Sequence, residues 1–254
     1  MTNTLMLPLL LLAAGAAVFL PSPADARARL LQHLLGVTLQ VLAAGSAAVL
    51  LGQAARGYGR GERERRVWFL SAAAAAAWTI GFLIYAVRKW AGAPRTYPST
   101  ADGFLVAASL ILAAALADEF WLIRPMLTRH QRVALIIAGL SLLIVVVGRF
   151  MWPIIVAPLA GTEKGLGLFY AGSVALLFPL ALGPAVAFRG GASGYVWMGI
   201  AAGVLALAAA NLGFVYLNTY DLYSDAHPIN LLRVAGLAGL GASAAWQRRT
   251  VEAL

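Results

Sequence analysis

The chain contains no cysteine and very little charge. Of its 254 residues only 11% are charged, whereas 61% are hydrophobic, and a soluble domain carries roughly 25% charged residues. Without cysteine the chain can form no disulfide, no thiolate metal site and no cysteine nucleophile. A chain with so few charges cannot hide its apolar surface from water by folding on itself, so lipid must solvate much of it.

Long apolar runs make up most of the remaining sequence. A membrane span needs about 20 mostly apolar residues at a rise of 1.5 Å each. The runs are continuous rather than alternating, which indicates helices and not the strands of a barrel. We therefore predict an all-α polytopic bundle that forms a single transmembrane domain over 1–254. Its eight expected spans are 4–20, 30–52, 67–87, 102–121, 133–156, 166–188, 194–219 and 229–246.

The first run allows two interpretations. Ala24-Asp25-Ala26 resembles a small-residue cleavage site, which would make the run a signal peptide. However, no lysine or arginine precedes the run, and a signal peptide would be expected to begin with one. We expect a first transmembrane helix and keep cleavage as the alternative.

The basic residues predict the orientation. The net charge of +9 lies mainly in short connectors, which favours membrane topology and anionic lipid head groups over nucleic acid as its explanation. With the N-terminus inside, the cytoplasmic connectors hold Arg56, Arg60, Arg63, Arg65, Arg66, Arg124, Arg129, Arg132, Arg189, Arg248 and Arg249. The outer connectors hold Arg27, Arg29, Arg88, Lys89, Arg95 and Lys164. The cytoplasmic connectors thus hold eleven basic residues and the outer connectors hold six. This excess of basic residues predicts that both termini are cytoplasmic.

Polar side chains within the spans predict a pocket in the outer half, because such groups are costly in lipid. A small or lipophilic ligand would there meet aromatic walls and a few polar groups. Interfacial anchoring is the alternative for the tyrosines, and an interhelical hydrogen bond is the alternative for Asn211. The two arginines within the spans, Arg149 and Arg233, could instead pair with Asp102, Asp221 or Asp225. The candidate ligand-binding residues are Trp78, Tyr85, Tyr97, Arg149, Asn211, Tyr216 and Arg233.

Three acidic residues have simpler interpretations. Asp102 follows Pro98 and Ser99 at the start of a span, so Ser99 and Asp102 are expected to cap that helix. Asp118 and Glu119 stand at the other end of the same span, close to Arg124, and are interpreted as surface charges.

Signatures of catalysis and of bound cofactors are missing. The three histidines, His33, His130 and His227, have no metal-ligand spacing. The sequence contains no His-Glu-x-x-His and no phosphate-binding loop, and no lysine lies mid-span in the last runs to hold retinal. We therefore expect no enzyme activity, no metal and no cofactor. A transporter would show paired broken helices with polar groups at the midplane, and no convincing pair is found.

Two stretches together resemble a known kind of membrane region. The first is Trp78-Thr79-Ile80-Gly81-Phe82 followed by Tyr97-Pro98-Ser99-Thr100-Ala101-Asp102. The second is Leu212-Gly213-Phe214-Val215-Tyr216-Leu217 followed by Tyr220 and His227-Pro228-Ile229-Asn230. Their order resembles the eight-helix N-terminal membrane region of bacterial diguanylate cyclases and sensor histidine kinases. The resemblance implies a multi-pass sensor in the bacterial inner membrane.

The sequence departs from that pattern at two acids. Such regions often have Tyr-Pro and then an acid three residues on, whereas here Phe178-Pro179 is followed by Leu182. The acid that is usual near Gly213 is also missing. A site that uses those acids would be altered or lost in this chain.

The leading hypothesis is a non-catalytic membrane sensor that couples an outer-half pocket to its cytoplasmic C-terminal end. Residues 247–254 are polar and are typical of the start of a cytoplasmic signalling helix, whose output would follow or come from a partner. The alternative is a structural or accessory subunit of a larger membrane complex. Homo-oligomers or complex partners would then pack against the glycine and alanine faces.

Overall fold

The computed structural model describes residues 3–23, 25–94 and 96–252. Within these ranges all regular structure is helical, and no strand occurs. The prediction of an all-α bundle is therefore confirmed. Ala24 of the cleavage-like motif, Arg95 of the outer basic set and residues 253–254 of the C-terminal segment lie outside the described residues.

Nine α-helices are found in the described part of the chain. A 3₁₀ turn, Arg124–Met126, follows the fourth helix, and a π-helical segment, Val146–Met151, joins the fifth to the sixth. The α-helices are α1 Asn3–Phe19, α2 Ala26–Arg56, α3 Arg63–Trp90, α4 Thr100–Ile123, α5 Arg129–Val145, α6 Trp152–Val156, α7 Gly161–Ala187, α8 Ala192–Thr219 and α9 Ile229–Glu252.

Seven helical stretches are long and apolar enough to cross a membrane, counting α5, the π-helical segment and α6 as one stretch, Arg129–Val156. The apolar part of α1, Leu5–Phe19, is shorter; its 15 residues would extend about 22 Å, less than the roughly 30 Å of a hydrocarbon core. A multi-pass membrane protein follows from these helices. The count of eight spans and the cytoplasmic side of the termini stay predictions.

Six helices form a closed ring. Each of α2, α3, α4, α7, α8 and α9 contacts the next in that order, and α9 returns to α2. Outside the ring, α1 packs against α2 and α9, and α5 packs against α7. Because successive spans alternate in direction, α2, α4, α7 and α9 begin at the same end of the bundle at which α3 and α8 finish. We call this end the cavity end.

Small residues allow the ring helices to approach closely. A Cβ atom added to Gly203 of α8 would lie 2.9 Å from the carbonyl oxygen of Gly236 in α9. A Cβ atom on Gly236 would in turn lie 2.7 Å from the carbonyl oxygen of Gly203. Ala74 and Ala75, from the alanine run in α3, are completely buried. Close packing of small faces is a main source of helix association in lipid, where apolar side chains gain little from leaving the solvent.

The stretch from α5 to α6 departs from ideal helix geometry. Pro153 has no N–H to donate to the carbonyl of Arg149, so the regular hydrogen-bond ladder cannot continue through this point. The chain is π-helical over Val146–Met151, and α6 ends at Val156, two residues before Pro158. The regular α-helix is thus interrupted before Pro153 and ends before Pro158, and Arg149 lies within the π-helical segment.

Candidate ligand-binding cavity

A cavity lies inside the ring at its cavity end, and all six ring helices contribute to it. We call it the polar cavity. Its apolar walls are Val37, Trp78, Phe82, Leu105, Leu207 and Phe214. Its polar lining consists of Gln40, Tyr85, Asp102, Ser109, Tyr170, Asn211, Tyr223, Asp225 and Arg233.

The polar cavity is small. The centres of water-sized molecules can occupy about 70 Å³ of it, and one water needs about 10–15 Å³ on this measure. The cavity therefore accommodates a few water molecules or one small ligand, and a bulky ligand would require the ring to open.

Asp102 accepts several hydrogen bonds in the cavity lining. Its side chain is buried, with the residue 3% exposed. The hydroxyl of Tyr85 donates to Asp102 Oδ2 at 2.8 Å, and the hydroxyl of Tyr170 donates to Oδ1 at 3.0 Å. The backbone N–H and the hydroxyl of Ser99 also donate to Oδ2, at 2.8 and 3.0 Å. One carboxyl group thus caps α4 and links it to α3 and α7.

Arg233 lies in the second turn of α9 and faces the same cavity with different partners. Its Nη1 atom donates to Gln40 Oε1 and to Asn230 Oδ1, both at 3.1 Å. Its Cζ atom lies 5.8 Å from the ring centres of both Phe82 and Phe214, within cation–π range. Among the described residues, no carboxylate lies within 4.0 Å of this guanidinium group.

The arginine–acid pairs considered from the sequence are therefore not formed in the described part of the chain. Asp225 pairs with Lys89, whose Nζ lies 2.9 Å from Asp225 Oδ2. Asp102 accepts hydrogen bonds from hydroxyls and a backbone amide instead of a cation. Arg149 has its guanidinium 5.0 Å from the ring centre of Tyr216.

Four of the seven predicted ligand-binding residues line the polar cavity: Trp78, Tyr85, Asn211 and Arg233. Tyr97 stands behind the wall, with its ring centre 5.6 Å from that of Phe214. Arg149 and Tyr216 are placed elsewhere. Arg149 is exposed on the outside of the bundle, because the π-helical segment packs against α7 rather than into the ring. The boundary that was expected for the pocket is thus corrected at Tyr97, Arg149 and Tyr216, and the binding role of the four residues that line the cavity stays a prediction.

Several cavity residues were missed in the sequence. Gln40 is 4% exposed and Tyr170 is 5% exposed, although both stand within apolar runs. Gln40 carried a usable signal, because an amide ten or more residues inside a span needs an internal partner. Tyr170 carried none that separates it from the tyrosines of a membrane interface. Tyr223 and Asp225 belong to the α8–α9 loop, and their place follows only from the tertiary fold.

An ion pair stands at the mouth of the cavity. A smaller hollow lies next to the polar cavity and shares Val37, Tyr85 and Asp225 with it. Lys89, at the end of α3, also lines that hollow and forms the 2.9 Å pair with Asp225. The Lys89–Asp225 pair thus connects α3 to the α8–α9 loop at the point where the cavity approaches the surface.

At the opposite end of the bundle, the interpretation of Asp118 and Glu119 as surface charges is wrong for Glu119. Glu119 is 5% exposed, because it lies on the side of α4 that also carries the core residues Leu112 and Leu116. Asp118 is also largely covered and pairs with Arg63 at 2.6 Å and Arg66 at 2.5 Å. The partners of Asp118 therefore come from α3, and this cluster ties α3 to α4.

The last turns of α9 are also attached at this opposite end. The Gln247 amide donates to the hydroxyl of Tyr58, and Arg248 Nη1 donates to Gln53 Oε1 at 3.1 Å. Burial raises the pKa of the Tyr58 phenol above its ordinary value, and the bond from Gln247 partly offsets that shift. One helix, α9, thus carries Arg233 at the cavity end and Gln247 at the other.

Groups of three or more potential metal ligands are not found among the residues that the structure describes. Comparison of the chain with protein families, with curated proteins and with solved structures finds no match. The resemblance to the membrane regions of diguanylate cyclases and sensor histidine kinases therefore stays a prediction.

Proposed function

We propose that this chain is a non-catalytic membrane sensor module that binds a small ligand with an anionic or carbonyl group in the polar cavity. The observation that carries the proposal is Arg233. A guanidinium group has five N–H donors, and the bonds to Gln40 and Asn230 both start from Nη1. A charged group without a carboxylate partner is costly inside a membrane protein, and an acceptor on a ligand would lower that cost.

The remaining walls define the shape of such a ligand. Trp78, Phe82 and Phe214 offer apolar ring surfaces, and Asn211 offers an amide in the same cavity. The size of the cavity favours a compact body. A small carboxylate with an aromatic or short aliphatic body matches these features.

Helix α9 provides the route from the cavity to the opposite end. Arg233 and Gln247 are fourteen residues apart in α9, which corresponds to about 21 Å along the helix. The glycine contacts between α8 and α9 favour movement of the two helices as one unit against α2. A ligand shifts such an equilibrium only if it binds one arrangement more tightly than the other. The bonds of Tyr58 to Gln247 and of Gln53 to Arg248 are where the shift would be expressed.

The test is binding by the purified full chain in lipid nanodiscs, with benzoate as the first probe and a panel of small carboxylates after it. A ligand that binds the folded state raises the melting temperature with its concentration. Arg233→Gln should weaken binding by at least tenfold, because a charge-assisted hydrogen bond is lost. Arg149→Gln is the matched control, since it removes an arginine outside the cavity, and its affinity should stay within twofold of the unmodified chain. Equal losses in both variants, or no binding of any carboxylate, would contradict the proposal.

The accessory-subunit alternative rests on one observation. In the stretch Arg129–Val156 only 11% of the most apolar part is buried inside the bundle. The corresponding share is 33–56% in the other six candidate spans. Such an exposed face can contact lipid or another protein. Cross-linking in native membranes from a cysteine at Ile144, which is 72% exposed, would favour this alternative if it captured one partner in stoichiometric yield.

A further inference from the structure

A second hollow lies on the outside of the ring, between α5 and α7, at the end opposite the polar cavity. We call it the α5–α7 groove. Its volume is about 490 Å³. Leu135 and Leu143 of α5 face Ala175 and Pro179 of α7 across it. Gly139 of α5 packs against α7, because a Cβ added there would lie 3.4 Å from Pro179. The groove is therefore apolar along its length.

Two arginines stand at one end of this groove. Arg124, just after α4, and Arg132, in the first turn of α5, both line it, and both also border an adjoining hollow with Trp121. Arg132 Nε donates to the carbonyl of Leu127 at 3.0 Å, and the Arg124 guanidinium lies 5.4 Å from the Trp121 ring centre. Within the described ranges, neither arginine has a carboxylate within 4.0 Å.

The groove has the depth of one lipid leaflet. Arg132 and Leu143 are eleven residues apart, which corresponds to about 16 Å along α5. Half of a hydrocarbon core of about 30 Å is about 15 Å. An acyl chain that starts at the arginines would therefore reach the bilayer midplane near Leu143.

We propose that the α5–α7 groove binds one anionic phospholipid. Its phosphate would contact Arg124 and Arg132, and one acyl chain would lie between α5 and α7. Guanidinium groups bind phosphate oxygens through paired hydrogen bonds, and basic pockets between spans at the cytoplasmic side bind anionic lipid head groups. Charge complementarity and the depth of the groove favour a lipid over a protein segment. The site is separate from the polar cavity and does not depend on its function.

The test uses the full chain, delipidated in detergent and titrated with lipid under native mass spectrometry. The probes are phosphatidylglycerol and phosphatidylcholine with identical acyl chains. We expect one phosphatidylglycerol to bind more tightly than phosphatidylcholine. The double variant Arg124→Gln/Arg132→Gln should weaken the binding of phosphatidylglycerol about 30-fold. Each arginine near an anionic head group changes the affinity about fivefold, and the two effects multiply. The double variant Arg56→Gln/Arg60→Gln removes the same charge at the same end, away from the groove, and should change the affinity less than twofold.

A second variant separates the groove from general charge attraction. Ala175→Phe fills the groove and leaves the net charge unchanged, so it should remove the bound phosphatidylglycerol. Melting curves without lipid establish that each variant is folded, and the comparison of the two lipids on the unmodified chain requires no variant. Equal affinity for both lipids would overturn the proposal, and so would equal losses in the two double variants. Stoichiometric cross-linking of a cysteine at Ile136 to another protein, unaffected by phosphatidylglycerol, would also overturn it.

Discussion

Removal of the Asp102 carboxyl group should destabilise the protein far more than the loss of a helix cap alone. Among the described residues, the side chain accepts two hydrogen bonds from Ser99 and one each from the hydroxyls of Tyr85 and Tyr170. Asp102→Ala therefore removes a cap and deprives two tyrosines of their acceptor. Asp25 provides a comparison, because it caps α2 through one bond to the backbone N–H of Ala28, at 2.7 Å, and is exposed.

The magnitude follows from these partners. Loss of a helix cap costs about 1 kcal/mol. A buried hydroxyl without a partner costs about 1–3 kcal/mol, and the low end applies to Tyr85 and Tyr170 because both line a cavity that water can occupy. Asp102→Ala should thus lower the free energy of unfolding by about 3 kcal/mol, and Asp25→Ala by about 1 kcal/mol. For a chain of this size the melting temperature should fall by about 6–12 °C and about 2–4 °C, respectively.

The assay is thermal unfolding of the purified chain in one detergent, supported by equilibrium unfolding in mixed micelles. A double-mutant cycle with Asp102→Ala and Tyr170→Phe isolates the bond between α4 and α7. Its coupling should be about 1 kcal/mol, because the two groups contact each other directly. Equal effects of Asp102→Ala and Asp25→Ala, together with additive effects in the cycle, would refute the reasoning, since the tyrosines would then gain nothing from the carboxyl group.

Three further outcomes are expected. Because the chain has no cysteine, a single Arg60→Cys should react with an impermeant thiol reagent only after cells are opened, whereas Thr162→Cys should react from outside; the reverse pattern would invert the topology. Gly236→Ala should lower stability by about 1–3 kcal/mol through overpacking against α8, whereas Gly172→Ala, which meets nothing within 4 Å, should be neutral in the same melt. Asp225→Asn breaks the ion pair at the cavity mouth and should raise the rate at which acrylamide quenches tryptophan fluorescence; an unchanged rate would show that the pair does not restrict access.

The helical spans could be predicted from the sequence because lipid imposes a simple rule on the backbone. Only helices satisfy every N–H and C=O within one segment, so run length and composition predicted the long helices closely. The same rule has less force for α1, since its apolar part is short. The closed ring could not be predicted, because the neighbours of each helix depend on side-chain fit, such as the contact between Gly203 and Gly236.

The lining of the cavity was predicted only in part. The depth of a residue in the membrane can be estimated from its position in the sequence, whereas the direction of its side chain cannot. Asn211 and Tyr216 lie at similar depth, but five residues of α-helix turn the side chain by about 140°, and only Asn211 lines the cavity. Arg149 was expected on the inner face of a regular helix. The π-helical segment at Val146–Met151 changes that register, and Arg149 instead contacts Tyr216 on the outside.

The separation of Asp102 from Arg233 bears directly on what the polar cavity would recognise under the proposed function. If Arg233 were only the counter-ion of a buried acid, the two groups would be expected in contact, since an ion pair in a medium of low dielectric constant is strongly attractive. Instead α3, α4 and α7 hold Asp102, whereas α2 and α9 hold Arg233, and no ion pair joins them in the described residues. A ligand whose acceptor group contacts Arg233 and whose body packs against Trp78 and Leu105 would therefore add a link between the helices that hold Arg233 and those that hold Asp102. Such a ligand would bind most tightly to the arrangement in which the two groups are closest, which is the unequal affinity that a sensor requires.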